Sequence, residues 1–237
     1  MRDEIYKSTN DISKFTFDEK VVEVFDDMVL RSVPGYKQMI ELIGLAGRIY
    51  PTKNSNIYDL GCSTGAVTMS LISNISAKNV KVFSIDNSKV MINRCRKNLS
   101  SINENIEYIC DDINNIQFKN ASLVVLNLTL QFVHPKKRIS LINKIYESLL
   151  PNGALIVSEK YIHMDKKINK NLTDLHESFK KENGYSNTEI ARKRRALEDV
   201  LIPETIEKHI FRFKESGFVD PMVIFKCLNF CTFLAKK

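Results

Sequence analysis

The chain has 237 residues, 43% hydrophobic and 27% charged, a composition able to bury a full core in one large domain or a domain carrying an insertion. No run of about 18 apolar residues occurs, so no membrane-spanning helix is expected. The formal net charge of +7 is spread along the chain through lysines and reads as a solvated surface before it reads as a nucleic-acid stripe.

Residues 1 to about 14 are polar and aperiodic; they are predicted to form a mobile arm, and Met1–Lys7 has no apolar stretch of the kind a secretory signal needs. Thr16-Phe-Asp-Glu19 has capping-box spacing, which makes Thr16 the expected N-cap of a helix whose apolar face is Val21, Val22, Val24, Phe25, Met28 and Val29. Pro34-Gly35 ends that helix, and a second is expected from about Lys37 to Arg48. Asn56-Ile-Tyr-Asp-Leu-Gly-Cys-Ser-Thr-Gly65 then reads as a strand over 57–60, a tight glycine turn, and a helix opening at Ala66.

Strands follow over 80–85, 106–110 and 123–126, the last a continuous apolar run suited to burial on both faces. Ser88 is the expected cap of one intervening helix and Pro135 the start of another; Pro151-Asn152-Gly153 turns the chain into a strand over 154–158. This alternation implies a mostly parallel sheet with right-handed crossovers. Residues from about 160 to 202 interrupt it with charged helical sequence broken at Asn183-Gly184, read as a helical cap insertion. A helix over 204–216 and two adjoining strands over 218–225 and 228–234 close the chain. The expected fold is α/β and Rossmann-like. Its seven-stranded sheet ends in an antiparallel hairpin, as in class I S-adenosylmethionine methyltransferases; dinucleotide dehydrogenases continue with parallel β-α units. The expected division is 1–52 as arm and covering helices and 53–237 as the α/β domain.

In open α/β sheets the ligand lies beyond the carboxyl ends of the strands. An acid stands at or just after three of those ends: Asp59, Asp86 and Asp112. Gly61 and Gly65 let a ligand approach the backbone, and the helix beginning at Ala66 points free N–H groups and its positive end at the turn. Asp86 is placed to accept ribose hydroxyls, and Asp112 with Ile113 to bracket an adenine. The turn suits a methionine-type carboxylate, with Cys62 a small filler offering its backbone N–H. Ser63 stands where methyltransferase turns usually have a middle glycine, and the spacing departs from the dinucleotide fingerprint G-x-G-x-x-G. Five cysteines without a CxxC pair read as free thiols in a reducing cytosol, Cys227 and Cys231 do not suggest a metal site, and none of the four histidines stands out as catalytic.

A closer resemblance is carried by Phe15-Thr-Phe-Asp-Glu19, Arg31-Ser-Val-Pro-Gly-Tyr36, Tyr58-Asp-Leu-Gly-Cys-Ser63, Ile85-Asp-Asn-Ser88 and Val125-Leu-Asn-Leu-Thr-Leu-Gln-Phe132. Ser158-Glu-Lys160, Asn183-Gly-Tyr-Ser186, Lys193-Arg194 and Leu197-Glu198 continue it. From about residue 15 to the C-terminus the chain resembles the carboxy-S-adenosyl-L-methionine synthase family. The resemblance implies transfer of the ring carboxylate of prephenate to the methyl of S-adenosylmethionine, releasing phenylpyruvate. The product would serve a companion tRNA carboxymethyltransferase acting on wobble uridine. It implies a cytoplasmic homodimer without metal or direct nucleic-acid contact. It places the nucleoside against Tyr36, Gly61, Cys62, Ser63, Asp86, Asn87, Asp112, Ile113 and Asn127, with Arg194, from the same chain or across a subunit boundary, on the new carboxylate, and no catalytic group beyond positioning by Tyr36 and Arg194.

Each residue also has a plainer reading. Arg194 lies in the run Arg192-Lys-Arg-Arg195, Tyr36 could be a core aromatic, and Asn127 could only satisfy loose backbone groups. The fold signals alone also fit an ordinary methyltransferase acting on a small acid. The charge run would fit an RNA-binding module, although it lacks interleaved aromatics.

Overall fold

The computed structural model describes residues 1–7, 13–102 and 105–237. Two helices, α1 (Glu19–Ser32) and α2 (Tyr36–Ile49), precede the alternating core of β1 (Asn56–Leu60), α3 (Ala66–Ile72), β2 (Lys81–Asp86), α4 (Lys89–Asn98), β3 (Ile106–Cys110), β4 (Ala121–Asn127), α5 (Pro135–Ser148) and β5 (Leu149–Lys160). The helices α6 (Lys166–Glu182) and α7 (Asn187–Leu197) come next, then α8 (Ile206–Glu215) and the strands β6 (Val219–Cys227) and β7 (Phe230–Lys236). No helix among the described residues is long and apolar enough to cross a membrane.

The seven strands form one sheet in the order β3-β2-β1-β4-β5-β7-β6. Pairing is parallel from β3 through β5, and β7 runs antiparallel to both β5 and β6. The alternation of side chains along β4 explains why its run is continuously apolar. Val124 faces a layer with Leu141, Ile142, Ile145 and Phe213, while Val125 faces one with Met39, Ile43, Val67 and Leu71. Strand order reverses at the β1–β4 junction, so the carboxyl ends of β1, β2 and β4 open onto one crevice.

Local chemistry sets most boundaries. The Ser88 hydroxyl accepts from the Met91 N–H at the start of α4, and Pro135 occupies the first turn of α5. At α1 the cap is Asp18 and not Thr16. The Asp18 carboxylate accepts from Val21 N–H at 3.0 Å, while the Thr16 hydroxyl merely donates to Asp18. β5 extends well past the expected 154–158 in both directions, because its outer residues pair with β4 at Leu149 and with β7 up to Lys160.

The expectation of a mobile N-terminal arm fails for residues 1–7; residues 8–12 lie outside the described residues. Asp3 is buried. Its N–H donates to Asp27 and its carboxylate accepts from the Tyr185 hydroxyl. The Arg192 guanidinium donates to the carbonyls of Tyr6 and Lys7. Arg31 completes the tie, donating to the carbonyls of Asn183 and Asp3 and lying 4.0 Å over the Tyr185 ring. The arm thereby fixes the α6–α7 junction against α1.

Candidate functional site

Beyond the carboxyl ends of β1, β2 and β4 lies a cavity of about 1060 Å³, roofed by α1, α6 and α7. Ligand clefts usually run ~300–1,000 Å³, so this one has room for more than one small molecule. All ten ligand residues expected from the sequence line it: Tyr36, Gly61, Cys62, Ser63, Asp86, Asn87, Asp112, Ile113, Asn127 and Arg194. Phe15, Phe17, Phe25 and Phe132 supply an aromatic wall, with Phe17 edge-on to Phe15 at 5.1 Å and to Phe132 at 5.4 Å.

The glycine turn is held shut by its own hydrogen bonds. Gly61 and Cys62 donate their N–H groups to the Ile85 carbonyl, and Ser63 donates its N–H to Asp86 at 2.9 Å. The backbone N–H that Cys62 was expected to offer a ligand is therefore already engaged. The helix behind the turn, α3, is only seven residues long, which limits the dipole at its start. Ser63, standing in for the usual glycine, sits at φ +52°, a left-handed conformation costing roughly 1–2 kcal/mol. Leu128 at φ +59°, after Asn127, is a second strained position on the cavity wall.

Asp86 is nearly buried. Its two oxygens each accept one N–H, from Ser63 and Ser88, which leaves lone pairs free on both. Burial raises its pKa above the ordinary carboxylate value despite those bonds. Asp112, an exposed side chain, uses one oxygen on the N–H and side-chain amide of Asn114, beside the buried Ile113. Asn127 has a buried side-chain oxygen with no partner among the described residues, an acceptor waiting for a donor. Burial, with the nearby charges of Asp26 and Asp59, pushes the Tyr36 hydroxyl far above its usual pKa, so it stays a hydrogen-bond donor.

The third acid is placed differently from the expectation. Asp59 does not line the cavity: it is fully buried beneath the turn, where it accepts from the Thr68 hydroxyl. Desolvation raises its pKa to about 7. Arg194 does line the cavity, yet its side chain is 62% exposed and already ion-paired with Glu177 on α6. The sequence motifs include Lys160 and Lys193, His176 is among the histidines given no catalytic role, and nothing in the sequence singles out Lys180. All four line the cavity, and lysines in charged runs give no sequence signal of burial.

A sheet that reverses at β1–β4, holds β7 antiparallel beside β5 and carries an acid at the end of β2 has the class I fold of S-adenosylmethionine-dependent methyltransferases. A family model described as "Methyltransferase domain" matches residues 57–153. A putative S-adenosyl-L-methionine-dependent methyltransferase from Methanococcus maripaludis superposes with a TM-score of 0.62 at 18% identity, covering 97% of each chain. Human N-acetylserotonin methyltransferase in complex with SAM gives 0.64 at 18% identity, over 92% of this chain and 55% of that one. Curated relatives narrow the class. The chain is 47% identical, over the full length of both, to a carboxy-S-adenosyl-L-methionine synthase of Ruthia magnifica subsp. Calyptogena magnifica. It is 48% identical to one of Shewanella sediminis, over 100% of this chain and 98% of that one. The chain belongs to the carboxy-S-adenosyl-L-methionine synthase family.

Proposed function

We propose that the cavity converts S-adenosylmethionine and prephenate to carboxy-S-adenosylmethionine, phenylpyruvate and water. The residues fit the nucleoside: Asp86 has lone pairs to spare for two ribose hydroxyls, the orphaned Asn127 oxygen accepts from the substrate's polar groups, and Ile113 offers an apolar face to an adenine. The observation that carries the donor half is the row of cations Arg194, Lys160, Lys180 and Lys193 on the wall of the same cavity. Four positive charges there suit an acid substrate and serve no purpose for a neutral one; the products distinguish an acid donor from a small-acid methyl acceptor.

The chemistry balances without a protein base. Prephenate loses its ring carboxylate as carbon dioxide and its ring hydroxyl as hydroxide, and becomes aromatic. The hydroxide takes a proton from the sulfonium methyl, giving water and an ylide, and the ylide adds to carbon dioxide. The chain's contribution is to hold the two substrates together behind the aromatic wall and to exclude water. Arg194 is suited to the new carboxylate, which a guanidinium can grip with two parallel hydrogen bonds. It lines the cavity of its own chain, so one protomer can supply it.

Family membership supports a cytoplasmic homodimer whose product feeds a tRNA carboxymethyltransferase, with no direct nucleic-acid contact. Mass spectrometry of the purified protein with both substrates tests the reading. It stands if a nucleoside heavier by one carboxyl appears together with phenylpyruvate. It falls if S-adenosylmethionine is recovered unchanged. It yields to the methyltransferase alternative if methyl label passes to a small acid.

A further inference from the structure

The cations under α6 and α7 are more than one carboxylate requires. Lys160 stands at the carboxyl end of β5, two residues beyond Ser158, which pairs with Asn127 in the sheet. Lys180 and His176 come from α6, Lys193 and Arg194 from α7, and all five face one cavity. Glu177 is occupied by Arg194. Lys193 reaches the Ser32 hydroxyl at 3.0 Å and lies 3.7 Å from Asp3. For Lys160 and Lys180 no carboxylate partner exists among the described residues.

The groups feel one another in sequence. Burial and the field of Arg194 lower the pKa of Lys160; burial and Lys160 lower that of Lys180 to about 8; burial and Lys180 lower that of Lys193 to about 8, against the opposing pull of Asp3. His176 cannot share the charge. Its Nε2 is 2.7 Å from the Ser32 carbonyl, and burial beside three lysines holds its pKa near 3, so it is a neutral donor to that carbonyl. Tyr185 and Arg31 close the far side behind Lys193. Desolvated, mutually repelling cations around a cavity are destabilising unless an anion occupies it, which is the signature of a binding site and not of a scaffold.

We propose that Lys160 and Lys180, backed by Lys193, form a second carboxylate subsite that holds the α-keto-acid carboxylate of the donor. That is the group that remains on the departing fragment, and it is held apart from the carboxyl bound at Arg194. The subsite rests on the reading of the cavity as the place where an acid donor reacts. It makes the enzyme selective for dicarboxylates: one carboxyl is transferred and the other is the handle.

The test uses the full chain saturated with S-adenosylmethionine and phenylpyruvate as probe in calorimetry. Lys180→Gln and Lys160→Gln should each weaken phenylpyruvate at least tenfold and raise KM for prephenate similarly, with S-adenosylmethionine affinity unchanged within twofold. Because each removes a repelled charge, thermal stability should hold or rise, which separates lost binding from lost folding. Affinity of the parent protein for phenylpyruvate should fall above about pH 8, and Lys180→Arg should restore binding while flattening that decline, since a guanidinium does not titrate there. Undiminished phenylpyruvate binding in both glutamine variants, or a profile flat from pH 7 to 9 in the parent, overturns the subsite alone. If the parent binds S-adenosylmethionine but neither prephenate nor phenylpyruvate, the donor reading falls and the subsite with it.

Discussion

Arg194 of α7 and Glu177 of α6 form an ion pair at the rim of the cavity, so the guanidinium assigned to the new carboxylate is held by an acid of the chain itself. Both side chains retain solvent exposure, 62% and 27%, and exposed pairs contribute only about 0–1 kcal/mol. An incoming carboxylate, better desolvated, can therefore displace Glu177.

Replacing either partner separates the roles. Arg194→Ala should weaken carboxy-S-adenosylmethionine by on the order of 2 kcal/mol, about thirtyfold, and S-adenosylmethionine by far less. Glu177→Gln should leave S-adenosylmethionine unchanged and tighten the carboxylated nucleoside severalfold, because the competing acid is gone. Calorimetry with the two nucleosides reads both effects; equal losses for both ligands in Arg194→Ala would contradict the assignment.

Asp86 behaves as a shared post. Its carboxylate fixes the N–H groups of Ser63 and Ser88 as well as facing the cavity. Asp86→Ala should weaken both nucleosides alike, by tenfold or more, and cost about 1–3 kcal/mol of stability through the two released N–H groups. Selective loss of one nucleoside in a binding assay would show that it does not hold the ribose the two share.

Asp59 separates a structural acid from a binding one. Its pKa is about 7 in the fold against 3.8 for an ordinary aspartate, so the native state holds the proton more tightly than the unfolded chain. The stability linked to that proton is complete below about pH 4 and is lost as pH rises through 7. Asp59→Asn keeps an acceptor for the Thr68 hydroxyl and cannot ionise. Denaturant midpoints should show it gaining on the parent between pH 4 and 8, by up to roughly 4 kcal/mol at about 1.4 kcal/mol per pKa unit, with nucleoside affinity within twofold. A tenfold loss of affinity would return Asp59 to the binding site.

What the sequence revealed and what it hid divide along a physical line. The turn at Gly61–Gly65, the Ser88 cap, the buried run of β4 and the closing hairpin are set by short-range rules of dihedral freedom, side-chain capping and alternation, so they are legible in order along the chain. Asp86 ends β2 and Asp59 is the penultimate residue of β1, so the two look alike in sequence, yet Asp59 lies beneath the turn and Asp86 on the cavity wall. One residue of difference at the strand end sets them apart, with Asp59 against Thr68 of α3 and Asp86 against the Ser63 N–H of the turn. Residues 1–7 look like a tail because their anchors, Arg31, Tyr185 and Arg192, lie far along the chain. The lysines were hidden for the same reason. Lys180-Lys181 and the 192–195 run suggest a solvated face, and burial arrives only when α6 and α7 fold over the strand ends.

Gly35 links the closing hairpin to the site. It precedes α2 at φ +74°, and a Cβ there would lie 2.5 Å from the Phe225 ring and 3.2 Å from Cys227 Cβ, both on β6. The next residue is Tyr36, the first of that helix, which lines the cavity. Gly35→Ala thus incurs a dihedral cost of about 1 kcal/mol plus whatever displacement of Phe225 requires. A total loss of about 2–3 kcal/mol is expected by denaturation, with a severalfold loss of S-adenosylmethionine affinity as Tyr36 shifts. Phe225→Ala in the same background should recover the steric part and leave the dihedral part, a non-additivity that a double-mutant cycle isolates. Strict additivity would mean that the ring gives way freely, and that only the left-handed backbone requires glycine at this position.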